Sequence, residues 1–266
     1  MKARHQNDPL LPFCDMAPRP KSDEEIATLA LKIHEMWKSG RLGGELMPED
    51  VHPDLPLGSD ELAAYFTLGM TLNYQRNSYA LWRSCTAAFN DAETRWVFDP
   101  VAVAASDTER LSEALTRHRV ALQPNRHPQI WHRNARGLVD LASGSVRNVF
   151  ESVGYDLGAV KSFLAEHRAS FPYLCGPKIS NYWLYVISTY MAWPTTNRES
   201  LSVAPDTHVI AASIRLGVMA HDQNLATQAG IAASRWATIL QTTNLVPIDI
   251  HTPLWLWSRN GFPDVH

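Results

Sequence analysis

The chain has 266 residues, with 24 Lys and Arg against 27 Asp and Glu and a formal net charge of −3. That length buries a substantial core, and the acidic balance argues against a protein that simply coats nucleic acid through clustered basic residues. The charged share is 19%, below the usual share of about 25%, while nine Trp and eight Tyr offer large surfaces for a core or for stacking. Cys14, Cys85 and Cys175 lack the paired spacings of zinc or iron–sulfur sites, so reduced thiols and no metal or cofactor are expected. No apolar run reaches the roughly 18 residues of a membrane span. Met1 to Pro20 also lacks the apolar stretch of a signal peptide, and the expected location is the cytoplasm, close to the nucleoid.

In chain order, residues 1–20 are Pro-rich and aperiodic and read as an extended arm. A helix is predicted from Ser22, with Asp23, Glu24 and Glu25 at its positive end, to about Lys38. Residues 39–58 carry Gly and Pro and read as a loop. From Ser59 a helical stripe of Leu62, Phe66, Met70 and Tyr74 begins, and Tyr79, Trp82 and Phe89 continue the core after a break. Further helices are expected near 107–121, 129–143 and 156–168. A tight turn, Phe171 to Gly176, opens the next helix with Pro177 at its first position and Ile179, Trp183, Ile187 and Met191 on one face. A loop from Pro194 to Pro205 ends at Asp206, which starts another helix. A helix near 223–241 and the segment Pro247 to Trp257 complete the chain. Without long alternating β-branched stretches the fold class is all-α. The expected organisation is an N-terminal arm and helix (1–58) packing on a main domain (59–266), as one continuous fold.

Between Leu115 and Arg136 there is no Asp or Glu, while Arg117, Arg119, Arg126, Arg133 and Arg136 are joined by three His. This stretch reads equally as a phosphate-binding surface and as a solvated basic face.

The stretches Leu174-Cys-Gly-Pro-Lys178 and Val203-Ala-Pro-Asp-Thr-His-Val209, the latter with Arg215-Leu-Gly217, resemble the helix-hairpin-helix DNA glycosylase superfamily, to which endonuclease III and the 8-oxoguanine glycosylases belong. Phe66 to Asn77 and Trp131 to Val139 resemble neighbouring helices of that family, so the likeness spans roughly residues 60–220. The sequence departs from the family pattern in having Leu174 where the turn's first glycine would stand, in a 28-residue interval from Lys178 to Asp206, and in lacking the four-cysteine cluster motif.

The resemblance implies a DNA N-glycosylase with lyase activity that flips a damaged or modified base out of double-stranded DNA, in repair or against foreign DNA, acting as a monomer. Lys178 would attack C1′ and form a Schiff base, and Asp206 would stabilise the positive sugar. Gln75 would plug the duplex or read the base, with Asn73 and Tyr74 beside it. The backbone at Cys175 and Gly176 would anchor phosphate, and His208, Trp183, Asp249 and Trp257 would contribute to substrate binding. Taken by themselves, Asp206 has the position of a helix cap, and the Asp249-Ile-His251 segment fits either a pocket lining or simple packing. Two other activities stay open at this point: an N-glycosylase acting on a free modified nucleoside or nucleotide, and a non-catalytic nucleic-acid-binding module.

Overall fold

The helix expected from Ser22 forms as α1 (Asp23–Lys38) in the computed structural model, which describes residues 21–43, 47–221 and 224–265. The N-terminal arm and Cys14 lie outside these residues. Ser22 and Glu25 cap α1 reciprocally: the Glu25 N–H donates to Ser22 Oγ at 3.2 Å, and the Ser22 N–H donates to the Glu25 carboxylate at 2.8 Å. Among the described residues the chain is all-α, and its only β pairing is a single bridge between Asp156 and Thr196. No helix among them is long and apolar enough to cross a membrane.

The second helix, α2 (Asp60–Thr71), differs from the one-sided stripe read from the sequence. Every residue from Leu62 to Thr71 is buried, so α2 runs through the middle of its lobe rather than along its surface. Its small residues allow this. Gly69 lets the Trp82 ring lie against the helix backbone, where an added Cβ would sit 2.7 Å from Trp82 Cζ3. Around α2 stand α3 (Ser78–Asn90), α4 (Pro100–Ala104), α5 (Thr108–Arg117), α6 (His127–Ala142), α7 (Val146–Ser152), α8 (Leu157–Glu166) and α9 (Pro177–Tyr190). The expected helices near 107–121, 129–143 and 156–168 correspond to α5, α6 and α8. At five and seven residues, α4 and α7 are too short to show a hydrophobic period in the sequence.

Beyond α9 come α10 (Thr207–Leu216), α11 (Leu225–Ile239) and α12 (His251–Arg259), the last entered through a 3₁₀ turn at Pro247–Ile250. The buried apolar residues fall into two clusters. One runs from Leu62 to Ala204, with Ile248 joining it. The other unites Ile26, Ile33 and Met36 of α1 with Val209, Leu216, Trp236, Leu254 and Trp257 near the other end of the chain. The N-terminal helix therefore packs against the C-terminal helices, and the two clusters do not divide the chain at residue 58.

The tryptophans go mainly to the core. Trp82, Trp131, Trp183 and Trp236 are fully buried. The indole N–H of Trp131 donates to the Val97 carbonyl at 2.7 Å, that of Trp183 to Thr67 Oγ1 at 2.9 Å, and that of Trp236 to Ser213 Oγ at 2.8 Å.

Gly69→Ala should destabilise the protein despite the roughly 1 kcal/mol gained in helix propensity, because overpacking against a buried indole costs about 1–3 kcal/mol. The measurement is the midpoint of urea unfolding, which should fall; an unchanged or raised midpoint would show that Trp82 can retreat at no cost.

Candidate functional site

A pocket opens at the seam between the two apolar clusters. It is lined by Met47 and Pro48 from the connection after α1, by Asn73, Ser78, Lys178 and Tyr182 from the first lobe, and by Asp206, His251, Thr252 and Trp255 from the second. It encloses about 380 Å³ of free space counting its mouth. Lys178 and Asp206 thus share one cavity although 28 positions separate them.

The two side chains arrive by different local devices. Lys178 is the second residue of α9, which follows a turn closed by the Cys175 N–H donating to the Phe171 carbonyl at 3.1 Å and the Gly176 N–H donating to the Tyr173 carbonyl at 2.9 Å. The turn's left-handed residue is Tyr173, at φ 66°, and Leu174 is buried in the core. The two backbone donors that the resemblance assigns to phosphate are thus both engaged inside the turn. At this helix entrance the N–H groups without an intrahelical partner belong to Lys178 and Ile179, because Pro177 has none. Asp206 is the N-cap of α10, its Oδ1 accepting from the Val209 N–H at 2.9 Å. The capping role and the pocket position coexist, for a carboxylate has two oxygens and the cap engages one.

Asn181, one turn into α9, joins these two ends. Its amide donates to the Pro177 carbonyl at 2.5 Å. Its Oδ1 accepts from the Ser202 N–H at 2.9 Å and from Lys161 Nζ at 3.1 Å, and Lys161 also reaches the Ser200 carbonyl at 3.3 Å. The interval after α9 is therefore a docked loop, held against α8 and α9 and leading into the pocket at Asp206.

The remaining expected site residues separate into two groups. Asn73 lines the pocket, and its Oδ1 accepts from Ser78 Oγ at 2.7 Å. Tyr74 and Gln75 are exposed in the loop between α2 and α3, where Gln75 takes a left-handed φ of 51°, a conformation uncommon outside glycine. Tyr74 is not part of the α2 stripe; its ring packs on Tyr173, 5.3 Å between centroids, and the Arg126 guanidinium covers Tyr173 at 5.3 Å. His208 stands behind Trp255, its ring edge-on at 5.8 Å.

Three expected residues lie elsewhere. Trp183 is core, bonded to Thr67. Trp257 is buried in the second cluster with its N–H on the Pro263 carbonyl at 2.7 Å. Asp249 accepts from Arg198 Nη2 at 2.9 Å and from the Val246 N–H at 3.0 Å, fixing the turn before α12. In the Asp249-Ile-His251 segment it is His251 that reaches the pocket.

Part of the basic stretch is neutralised: Arg117 pairs with Glu93 and His118 with Asp91 at 2.8 Å, while Arg136 pairs with Asp140 at 3.1 Å. Arg119, Arg126 and Arg133 remain exposed and make no ion pair among the described residues. Arg76 ties this turn to the Gln75 loop by donating to the carbonyls of Val120 at 2.7 Å and Arg119 at 3.2 Å.

Sequence reasoning missed a buried acid bonded to Tyr182 of the pocket wall. Glu49 is 1% exposed, and both its oxygens lie within hydrogen-bond distance of the Tyr182 hydroxyl, at 2.8 and 2.7 Å. Burial pushes its carboxyl up to about 7, against the lowering effect of the Tyr182 bond. His251, 5% exposed, packs its ring on Tyr182 at 4.9 Å. Burial lowers His251 to about 4, opposed by the Asp206 charge and reinforced by Lys178. Nothing in the spacing around Glu49 announces it, since its burial depends on a helix 133 residues away. Among the described residues no group of three or more His, Cys, Asp or Glu is placed to hold a metal ion.

Comparison with protein-family models yields no match to this chain, and comparison with curated proteins yields none either.

The two buried titrating groups act in opposite directions on stability. Glu49, raised when folded, binds a proton more readily in the native state between about pH 4.5 and 7, so its contribution falls as pH rises through that window. His251, lowered when folded, binds its proton less readily in the native state between about pH 4 and 6.5, so its contribution falls as pH drops through that range. In the wild type the slopes largely cancel. Glu49→Gln should expose a stability that rises from pH 4.5 to 6.5, and His251→Phe one that declines over the same range. Each effect is of order 3 kcal/mol, readable from unfolding midpoints across pH; parallel profiles for both variants and wild type would refute the assignment.

Proposed function

We propose that this chain is a DNA N-glycosylase with AP lyase activity, of the helix-hairpin-helix glycosylase type its motifs resemble, excising a modified base flipped out of double-stranded DNA. The observation that carries the reading is that Lys178 and Asp206, the two residues the resemblance assigns to catalysis, line the same pocket from the entrances of two different helices. The succession of α8 and α9 through a short turn supports the same reading.

In this mechanism the C1′–N bond breaks as its electron pair leaves with the base, and positive charge develops on the sugar. The Asp206 carboxylate, oriented by its cap bond, stabilises that charge. The Lys178 amine forms the new bond to C1′ through its nitrogen lone pair, gives up a proton and opens the sugar to a Schiff base, from which elimination of the 3′ phosphate cuts the strand. Tyr74 and Gln75 occupy the vacated stack, and exposed Arg119, Arg126 and Arg133 hold the backbone. Leu122, 48% exposed on the turn between α5 and α6, adds an apolar contact there.

One observation favours a second reading. The hairpin turn spends its Cys175 and Gly176 donors internally, leaving fewer backbone groups for a DNA phosphate, which suits an N-glycosylase acting on a free nucleoside or nucleotide.

Borohydride trapping on duplexes with an abasic site or a single modified base should give a covalent adduct that Lys178→Ala abolishes. Asp206→Asn should lower base release by about 100-fold or more while the melting temperature holds, because Asn caps a helix as well as Asp does. Activity retained in Asp206→Asn, or an adduct that survives Lys178→Ala, would end the proposal; turnover of mononucleotides without duplex activity would select the second reading.

A further inference from the structure

Arg259, the last residue of α12, is exposed, and its guanidinium makes no hydrogen bond or ion pair among the described residues. It lies instead over two rings that come from opposite sides of the seam. The Tyr79 ring of α3 is 4.9 Å from the guanidinium carbon and the Trp255 ring of α12 is 5.0 Å from it, the two rings being 6.2 Å apart. Trp255 lines the pocket that holds Lys178 and Asp206, and so does Ser78, the neighbour of Tyr79. The Arg259 charge therefore stands beside the pocket, one helical turn beyond a residue of its wall.

The carboxylates on this side of the molecule are engaged by other groups. Asp50 accepts from the Tyr190 hydroxyl at 2.5 Å and from the Met47 N–H at 2.6 Å, and Glu49 accepts from Tyr182. Asp206 caps α10 and makes no ion pair among the described residues. The helix dipole favours a cation at the end of α12, which accounts for the charge but not for its seat on a ring of the other lobe. A guanidinium laid on aromatic rings keeps its N–H groups, which lie in its own plane, available to an acceptor. It loses little freedom on binding, and its fork matches two oxygens of one phosphate.

We propose that Arg259, seated on Tyr79 and Trp255, binds the phosphate of the substrate nucleotide whose sugar lies between Lys178 and Asp206. A nucleotide's phosphate is joined to the sugar itself, so a sugar held in the pocket brings its phosphate to the pocket's edge. The placement of the sugar rests on the glycosylase reading; the phosphate site does not. Its chemistry is the same for a backbone diester of DNA and for the monoester of a free nucleotide. The site is separate from Arg119, Arg126 and Arg133, which belong to the α5–α6 turn and to α6, whereas Arg259 belongs to the second lobe.

The test titrates the full chain with two probes, a duplex carrying a tetrahydrofuran abasic site and free 2-deoxyribose 5-phosphate, at several salt concentrations. At least one should bind, and Arg259→Gln should weaken that binding by about tenfold or more. With the duplex, Arg259→Gln should also lower the slope of log affinity against log salt by about one, while Arg259→Lys, which keeps the charge, should retain it. Loss confined to the duplex identifies a DNA phosphate, and loss confined to the sugar phosphate a free nucleotide. The melting temperature should hold in both variants, because the side chain is exposed. No binding of either probe, or affinity and salt slope unchanged in Arg259→Gln, would overturn the proposal. So would a slope lost equally in Arg259→Lys, or a fall in melting temperature with binding intact, since each marks a purely structural clasp between the lobes. Borohydride trapping and base release are measured separately: phosphate binding that depends on Arg259 without adduct or release removes the glycosylase reading and leaves the phosphate site, whereas adduct and release indifferent to Arg259→Gln do the reverse.

Discussion

The arrangement of the pocket depends on the hydrogen bonds of Asn181. Its amide holds the first turn of α9, where Lys178 stands, and its carbonyl oxygen holds Ser202 and Lys161, so the loop that leads to Asp206 is fastened to the same helix. A chain that leaves a helix and returns 28 positions later has many ways to pass that helix by. Fastening the loop to a buried side chain selects one of them and sets where the next helix begins.

The seam between the two apolar clusters supplies the rest. One lobe contributes Asn73 from the α2–α3 loop, Ser78 and Lys178 from helix entrances and Tyr182 from within α9; the other brings Asp206, His251, Thr252 and Trp255 from the start of α10 and from α12. Helix entrances leave N–H groups unpartnered and concentrate positive potential, which is why polar and charged side chains gather there without disturbing either core. Because α1 packs with α11 and α12, the second lobe is stitched from both ends of the chain, and separation of its ends would expose the pocket wall as well as the core.

The pocket also concentrates unfavourable burial. Glu49 is buried with the Tyr182 hydroxyl as its only side-chain partner among the described residues, His251 is held neutral, and two polar atoms of the described residues here are left without partners. Buried groups of this kind cost stability wherever they sit; here His251 and Thr252 line the pocket, and Glu49 is bonded to its Tyr182.

The all-α class was legible from residue order alone, as were the positions of α1, α5, α6, α8, α9, α10 and α11, because helical period, caps and Pro or Gly breaks are local signals. So was the pair Lys178 and Asp206, through the motifs in which they stand. Burial decided the remainder. Trp183 and Trp257 looked like ring platforms but are enclosed by helices distant in sequence. Asp249 found Arg198, and the Cys175 and Gly176 donors turned inward because Tyr173 rather than glycine took the left-handed position. Glu49 and Thr252 carry no motif, and His251 was seen only as part of a segment with several readings. Their importance arises from contacts such as Glu49 with Tyr182, 133 residues apart, and contacts of that range follow from how two cores meet rather than from any local pattern.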